Sequence, residues 1–183
     1  MSNFHSNTER LIDYWRRRGG HGRSPRRAEV DPADFSTLWP QTFMLGRSGS
    51  GIYPVRLAGG FVADLHGRDL RGHNGLSLFR LRDRSDLHSA LEAARRRPEP
   101  VVAAVEVLTD GPSLPMEVLF APLAGDDAQS DRYLGLYQPL SPVARLMGRT
   151  ARDIAVQSLH GASCAHDELP RLRLATLDGR RIA

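Results

Sequence analysis

Three apolar segments separated by short polar stretches constrain the fold more than any other feature of this chain. They read VVAAVEVLT (101–109), LPMEVLFAPL (114–123) and RYLGLYQPL (132–140), and DGPS and GDDAQSD lie between them. The alternation of apolar and polar residues, loose in the first segment and centred on Glu117 in the second, is typical of β-strands. Because strands joined by such short connections pair antiparallel, this region is predicted to form a three-stranded meander.

A helix and a further pair of strands precede the meander. The segment DRSDLHSALEAARRRP (83–98) has apolar residues at helical spacing, and Pro98 ends it. QTFMLG (41–46) and IYPVRLAG (52–59) read as strands around the turn RSGSG, and Pro54 favours an edge position or a bulge. This order predicts an α+β fold with a five-stranded antiparallel sheet and helices on one face.

An amphipathic helix is predicted at the N-terminus. The segment SNTERLIDYW opens with a capping-box pattern, in which Glu9 follows Ser6 by three residues. Leu11, Tyr14 and Trp15 then form one apolar stripe at helical spacing. Two interpretations of this stripe stay open: it covers the core of its own chain, or it binds a second copy or a partner.

Secondary structure is also predicted for three more segments. Asp31 as N-cap and Pro32 at the first helical position predict a short helix, whose Trp39 either anchors packing or lines a ligand cavity. After the meander, PVARLMGRTARDIAVQSLHG (142–161) predicts one helix or two helical pieces. RLRLATLDGRRI (171–182) alternates arginine with leucine and predicts an extended segment.

Composition excludes several classes of enzyme. The chain has 183 residues, and all 25 of its basic residues are arginine. Without lysine it has no Walker A lysine for phosphates, no kinase strand lysine and no amine for a Schiff base. It also lacks the nucleophile-elbow and zinc-protease motifs, so we expect a protein that is not an enzyme and assign no catalytic residue.

Location and metal content are also constrained. The single cysteine, Cys164, forms no internal disulfide, and no apolar run approaches the ~20 residues of a membrane helix, so a cytoplasmic protein without a membrane span is expected. Near this cysteine, HGASCAHDE offers His160, His166, Asp167 and Glu168 as metal ligands. Their spacing matches no established zinc site, and we predict no metal site.

Positive charge raises an alternative function. A net charge of +4 and a sequence pI near 9.9 are compatible with an arginine-rich regulator that binds nucleic acid or nucleotides. The charge is spread along the chain, however, and no recognition motif accompanies it. Nucleic-acid binding is therefore kept as the weaker alternative.

The connector before the main helix carries a family resemblance. In LAGGFVADLHGRDLRGH (57–73), Gly67 ends a short helix and Gly72 a following turn, and the stretch VADLHGRDLRG resembles the connector of PAS domains. The fuller pattern YWRRRGG…PRRAEVDPADFSTLWPQTFML…YPVRLAGGFVADLHGRDLRGHN, together with SLPMEVLFAPL and RLRLATLDGRR, resembles a family of small alphaproteobacterial PAS-like proteins.

This resemblance implies a domain organisation and a function. It implies an N-terminal helix and linker over 1–30, a PAS-like domain over 31–141 and a C-terminal extension over 142–183. A non-enzymatic signalling sensor or adaptor is expected, acting through a signalling protein partner in bacterial regulation such as motility or the cell cycle. PAS domains also hold ligands between sheet and helices, so a small-molecule ligand of unknown identity is kept open.

The resemblance also implies candidate site residues. PAS domains dimerise through flanking helices, which makes the stripe of Leu11, Tyr14 and Trp15 the candidate for a homodimer or partner contact. Cys164 lies outside the helix region where flavin-binding PAS domains carry their cysteine, whereas His88 lies on the long helix where haem-binding ones carry a histidine. The candidate ligand-pocket residues are Trp39, Phe61, Val62, Leu65, His66, His73 and His88.

Overall fold

A computed structural model describes residues 4–19, 22–125 and 132–162. Within these ranges the α-helices are α1 (Ser6–Gly19), α2 (Gly60–His66) and α3 (Arg84–Arg96). The strands are β1 (Thr42–Gly46), β2 (Val55–Ala58), β3 (Val101–Leu108), β4 (Leu114–Leu123), β5 (Arg132–Pro139) and β6 (Asp153–Gly161). Short 3-10 helices lie at Arg27–Glu29, Pro32–Gln41, Gly75–Leu78, Leu81–Asp83 and Val143–Leu146.

The strands form one antiparallel sheet in the order β2-β1-β5-β4-β3-β6. The predicted meander is confirmed as β3, β4 and β5, and the predicted pair as β1 and β2. The two groups join because β1 pairs with β5, the last strand of the meander. The α+β class is therefore confirmed, although the described part of the sheet has six strands rather than the predicted five.

The additional strand replaces a predicted helix. Residues 142–161 do not form helical pieces beyond the single 3-10 turn at Val143–Leu146, and Asp153–Gly161 is the edge strand β6. β6 pairs with β3 over eight register positions, among them Val107 with Ile154, and this long-range pairing outweighs the weak local helical pattern. The predicted extended segment 171–182 and the residues Cys164, His166, Asp167 and Glu168 lie outside the described residues.

Two apolar cores lie on the two faces of the sheet, because successive side chains of a strand point to opposite sides. In β5, Tyr133 and Tyr137 belong to one core, and Leu134 and Leu136 belong to the other. The first core is covered by α2 and α3, and the second by α1 and the 3-10 helix Pro32–Gln41. The N-terminal helix thus covers the face that the other α-helices leave open.

The apolar stripe of α1 is buried in its own chain. Leu11, Tyr14 and Trp15 are 0%, 7% and 5% exposed, and the Trp15 ring N–H donates to the carbonyl oxygen of Pro122 at 2.6 Å. Of the two interpretations of the stripe, the structure follows the one in which it covers the core. In this conformation these side chains are not available to a second copy.

Polar contacts fix the start of α1 on the sheet. The His5 backbone N–H donates to both carboxylate oxygens of buried Glu117 at 3.1 Å, and the Asn7 side-chain amide donates to Gln138 Oε1 at 2.9 Å. The helix begins at Ser6, and the His5 ring nitrogen Nδ1 accepts the Asn7 backbone N–H. A carboxylate at a helix N-terminus is favourable because the helix dipole is positive there.

No helix in residues 4–19, 22–125 or 132–162 has the length and apolar character needed to cross a bilayer.

Candidate functional site

A small apolar cavity lies between the sheet and α2. The cavity has a volume of about 10 Å³, which is close to the minimum for one water molecule. Among its lining residues only Tyr137 carries a polar side-chain atom. The lining residues are Phe43, Leu45, Val55, Val62, Leu70, Gly75, Leu78, Phe79, Phe120 and Tyr137.

Glycines position α2 over this cavity. Gly59 lies against the 3-10 helix so closely that a Cβ there would be 2.4 Å from the carbonyl oxygens of Trp39 and Pro40. Gly67 ends α2 in the left-handed conformation, with φ of 62° and its N–H bonded to the Asp64 carbonyl, as the sequence predicted. Between them, Val62 is buried and lines the cavity. The glycine-rich connector therefore serves a close backbone approach and a helix end.

His66 and Tyr137 form a polar pair beside the cavity. The ring nitrogen Nε2 of His66 lies 3.3 Å from the Tyr137 hydroxyl. Burial, together with the positive charge of Arg68, lowers the pKa of His66 to about 4, and burial raises the pKa of the Tyr137 hydroxyl. Both groups are therefore neutral near pH 7, and their hydrogen bond is a polar contact at the wall of an apolar space.

The lowered pKa of His66 predicts a loss of stability in acid. In the unfolded chain the His66 imidazole gains a proton near pH 6.5, whereas in the folded protein it stays neutral down to about pH 4. The contribution of His66 to the free energy of unfolding is therefore fully present above about pH 6.5. This free energy decreases by on the order of 2–3 kcal/mol as the pH falls to about 4. We expect His66→Gln to remove this loss, and urea unfolding at about pH 7.5 and about pH 4.5 measures it.

A matched control is available in His73, which is exposed. His73→Gln keeps His66, so this variant should still lose stability in acid. An equal pH dependence in the wild type and in His66→Gln would contradict the assignment of the acid-sensitive group to His66.

His88 belongs to a different network, between α3 and the turn after β1. The Tyr53 hydroxyl donates its proton to Glu92 Oε1 at 2.9 Å and lies 2.8 Å from His88 Nδ1, so Nδ1–H donates to Tyr53. His88 Nε2 then faces the Ser50 hydroxyl at 3.5 Å. Arg47 Nε donates to Glu92 at 2.7 Å. The network ties α3 to the β1–β2 turn, and His88 is directed there rather than into the cavity.

Glu92 is ionised throughout the physiological range. Its burial raises the pKa, but the hydrogen bonds from Arg47 and Tyr53 and the charge of Arg47 outweigh burial and lower the pKa to about 2. Sequence reasoning missed this network. The spacing of His88 and Glu92, four residues apart on one helix, was the available signal.

The other predicted pocket residues are dispersed. Leu65 is buried in the same core without lining the cavity, and Phe61 is partly buried against that core. Trp39 packs on the opposite face of the sheet, where its ring centroid is 6.2 Å from that of Phe35. His73 is exposed on the connector. The strand residues Phe43, Phe120 and Tyr137, which sequence reasoning missed, form the cavity wall opposite α2.

The cavity does not fit a haem or a flavin. Sites for drug-sized ligands and cofactors occupy several hundred Å³, whereas this cavity measures about 10 Å³. His88, the haem-ligand candidate, is bonded to Tyr53 outside the cavity wall. Among the described residues, no three His, Cys, Asp or Glu side chains lie together as metal ligands would.

Comparison with known proteins identifies the family. The PAS domain family matches residues 3–138, from the segment before α1 to the penultimate residue of β5. No curated protein matches the chain. The match covers most of the 183 residues, and its boundary excludes the β5–β6 connector and β6. The chain belongs to the PAS domain family.

Proposed function

We propose that this protein is a non-catalytic PAS signalling adaptor, which acts by contacting a partner protein rather than by holding a large ligand. Membership of the PAS family supports a sensor-type role in signalling. The observation that carries the adaptor proposal is the size of the cavity between the sheet and α2, about 10 Å³, which is too small for a cofactor or a drug-sized ligand. In this proposal the protein receives and passes on a signal through contacts at its surface.

Aromatic packing supports a cavity that stays closed. The Phe43 ring makes edge contacts with Phe120 and Tyr137, with centroid separations of 5.7 and 5.2 Å. Gly135 lies directly beneath the same ring. Expanding the cavity to hold a ligand of several hundred Å³ would require these rings to separate, and interiors packed at this density resist such changes.

A sensor of a very small molecule is the second candidate. It is favoured by the His66–Tyr137 pair, which places a hydrogen-bonding group next to an otherwise apolar space. Such a ligand would be no larger than a few atoms in this conformation. For either candidate, we propose a cytoplasmic location and a bacterial regulatory system, such as one for motility or the cell cycle, on the PAS resemblance alone.

Site-specific photo-crosslinking in cells tests the adaptor proposal. A photoreactive amino acid is placed singly at exposed apolar positions around the molecule, beginning with Ile52, Leu81 and Val143. We expect positions that are neighbours on the surface to crosslink to the same protein. We also expect that protein and this chain, once purified, to form the complex again. If no position around the surface gives such a complex, the adaptor proposal is wrong.

A further inference from the structure

The connector between β5 and β6 exposes an unusual share of apolar side chains. Among the described residues, five large apolar side chains are exposed, and three of them are in this connector: Leu140 at 47%, Val143 at 39% and Met147 at 65%. The PAS match ends at residue 138, so the connector is a feature of this chain outside the matched family region. Clustered exposed apolar side chains mark interaction sites.

The connector is held firmly against the domain. Leu146 is buried in the first core, at 2% exposure. The Leu140 N–H donates to the Pro115 carbonyl at 2.9 Å, and the Ala151 N–H donates to the Leu65 carbonyl at 2.7 Å. The exposed side chains are thus presented from a fixed backbone, which lowers the entropy lost when a partner binds.

Met147 occupies a backbone position that favours glycine. It caps the 3-10 turn Val143–Leu146 with φ of 49°, and within the described residues it is the one non-glycine residue with positive φ. For an L-residue with a side chain this conformation costs roughly 1–2 kcal/mol. Because the side chain is 65% exposed, burial in the monomer does not offset that strain. Cap hydrogen bonds hold this backbone conformation: the Met147 N–H donates to the Ala144 carbonyl at 3.0 Å, and the Arg149 N–H donates to the Leu146 carbonyl at 2.9 Å. The exposed Met147 side chain is therefore presented from a fixed backbone position.

Two arginines add positive charge to the apolar residues. Arg145 and Arg149 are exposed, and neither forms an ion pair with an acidic residue in the described part of the chain. Arg149 lies against Gly111, which follows β3. We call Leu140, Val143, Arg145, Met147 and Arg149 the connector surface.

We propose that the connector surface is the binding site for an acidic segment of a partner protein that also carries apolar side chains. Such a segment would bury the apolar residues and pair its carboxylates with Arg145 and Arg149. A flexible methionine suits this task because it adapts to the shape of the group it covers. This inference rests on the proposed adaptor function and names the chemistry of the partner.

A second copy of this chain is a poorer occupant. A symmetric dimer applies the same surface of each protomer to the other. Such a contact would bring together arginines from both copies with no carboxylate of the connector surface to pair with them, and cations left unpaired at an interface disfavour it. Charge complementarity therefore favours an acidic partner.

Selection of short peptides that bind the full chain tests this inference. The peptides come from a displayed library that carries acidic and apolar residues at random positions. We expect selected peptides to bind the wild type more weakly as salt concentration rises, and to bind Met147→Gly at least about tenfold more weakly. Met147→Gly relieves the left-handed strain, so it should fold at least as well as the wild type. Val143→Ser provides a second apolar variant, and Arg145→Gln with Arg149→Gln should reduce the salt dependence.

Three results would overturn the inference: no acidic peptide is selected, selected peptides bind both apolar variants as tightly as the wild type, or the chain self-associates through these residues. The photo-crosslinked partner separates this inference from the proposed function. A partner that binds Met147→Gly and Val143→Ser with wild-type affinity leaves the adaptor function standing and refutes the connector surface. The absence of any crosslinked partner refutes the adaptor function itself.

Discussion

Replacing Gly135 by alanine should destabilise the protein by about 3 kcal/mol or more. A Cβ at this position in β5 would lie 2.0 Å from Cζ of Phe43 on the neighbouring strand. The ring cannot move aside easily because it packs against Phe120 and Tyr137. Urea unfolding followed by tryptophan fluorescence measures the change.

Gly60 provides the matched control for this substitution. A Cβ added there meets no atom within 4 Å, and Gly60 is the first residue of α2. Gly60→Ala should therefore be neutral or slightly stabilising, because alanine favours the helix over the unfolded chain. If Gly135→Ala were as stable as Gly60→Ala, the aromatic wall of the cavity would not be packed as described.

Replacing Trp15 by alanine should destabilise the folded monomer by about 3–5 kcal/mol, the range found for buried large aromatic residues. The indole is 5% exposed and its N–H is bonded to the Pro122 carbonyl, so the substitution leaves both a cavity and a carbonyl without its partner. Unfolding in urea at two well-separated protein concentrations measures the effect and separates it from any contribution of association.

Arg17 is the control on the same helix, because it is exposed. Arg17→Ala should change stability by no more than about 0.5 kcal/mol. If the stripe instead held two chains together, Trp15→Ala would reduce the dependence of the unfolding midpoint on protein concentration. The free energy of unfolding of the monomer would then be unchanged. That outcome would contradict the placement of α1 on its own sheet.

Sequence patterns predicted the parts of the fold that depend on local signals. The meander has alternating strands and short connections, and α3 has a continuous apolar face ending at proline, so both were found. β6 was missed because its residues carry little alternation and its pairing with β3 is long-range. The sequence also did not decide what α1 packs against, since an apolar stripe has the same pattern whether it covers its own sheet or another molecule.

The candidate site was predicted less well than the fold, for a related reason. Val62 was found because helical spacing marks it as inward-facing. Phe43, Phe120 and Tyr137 were missed because the assembled sheet decides which face of each strand meets α2. The network around His88 is likewise completed only in the folded chain, because Tyr53, which precedes β2, there meets His88 and Glu92 of α3.

Native mass spectrometry of the purified full chain tests the central claim most directly, because it reports bound small molecules and oligomeric state in one spectrum. A PAS adaptor whose core is filled by its own side chains should show the mass of the polypeptide alone, with no organic molecule released on denaturation. A stoichiometric bound molecule of haem or flavin size, released when the protein is denatured, would contradict the account.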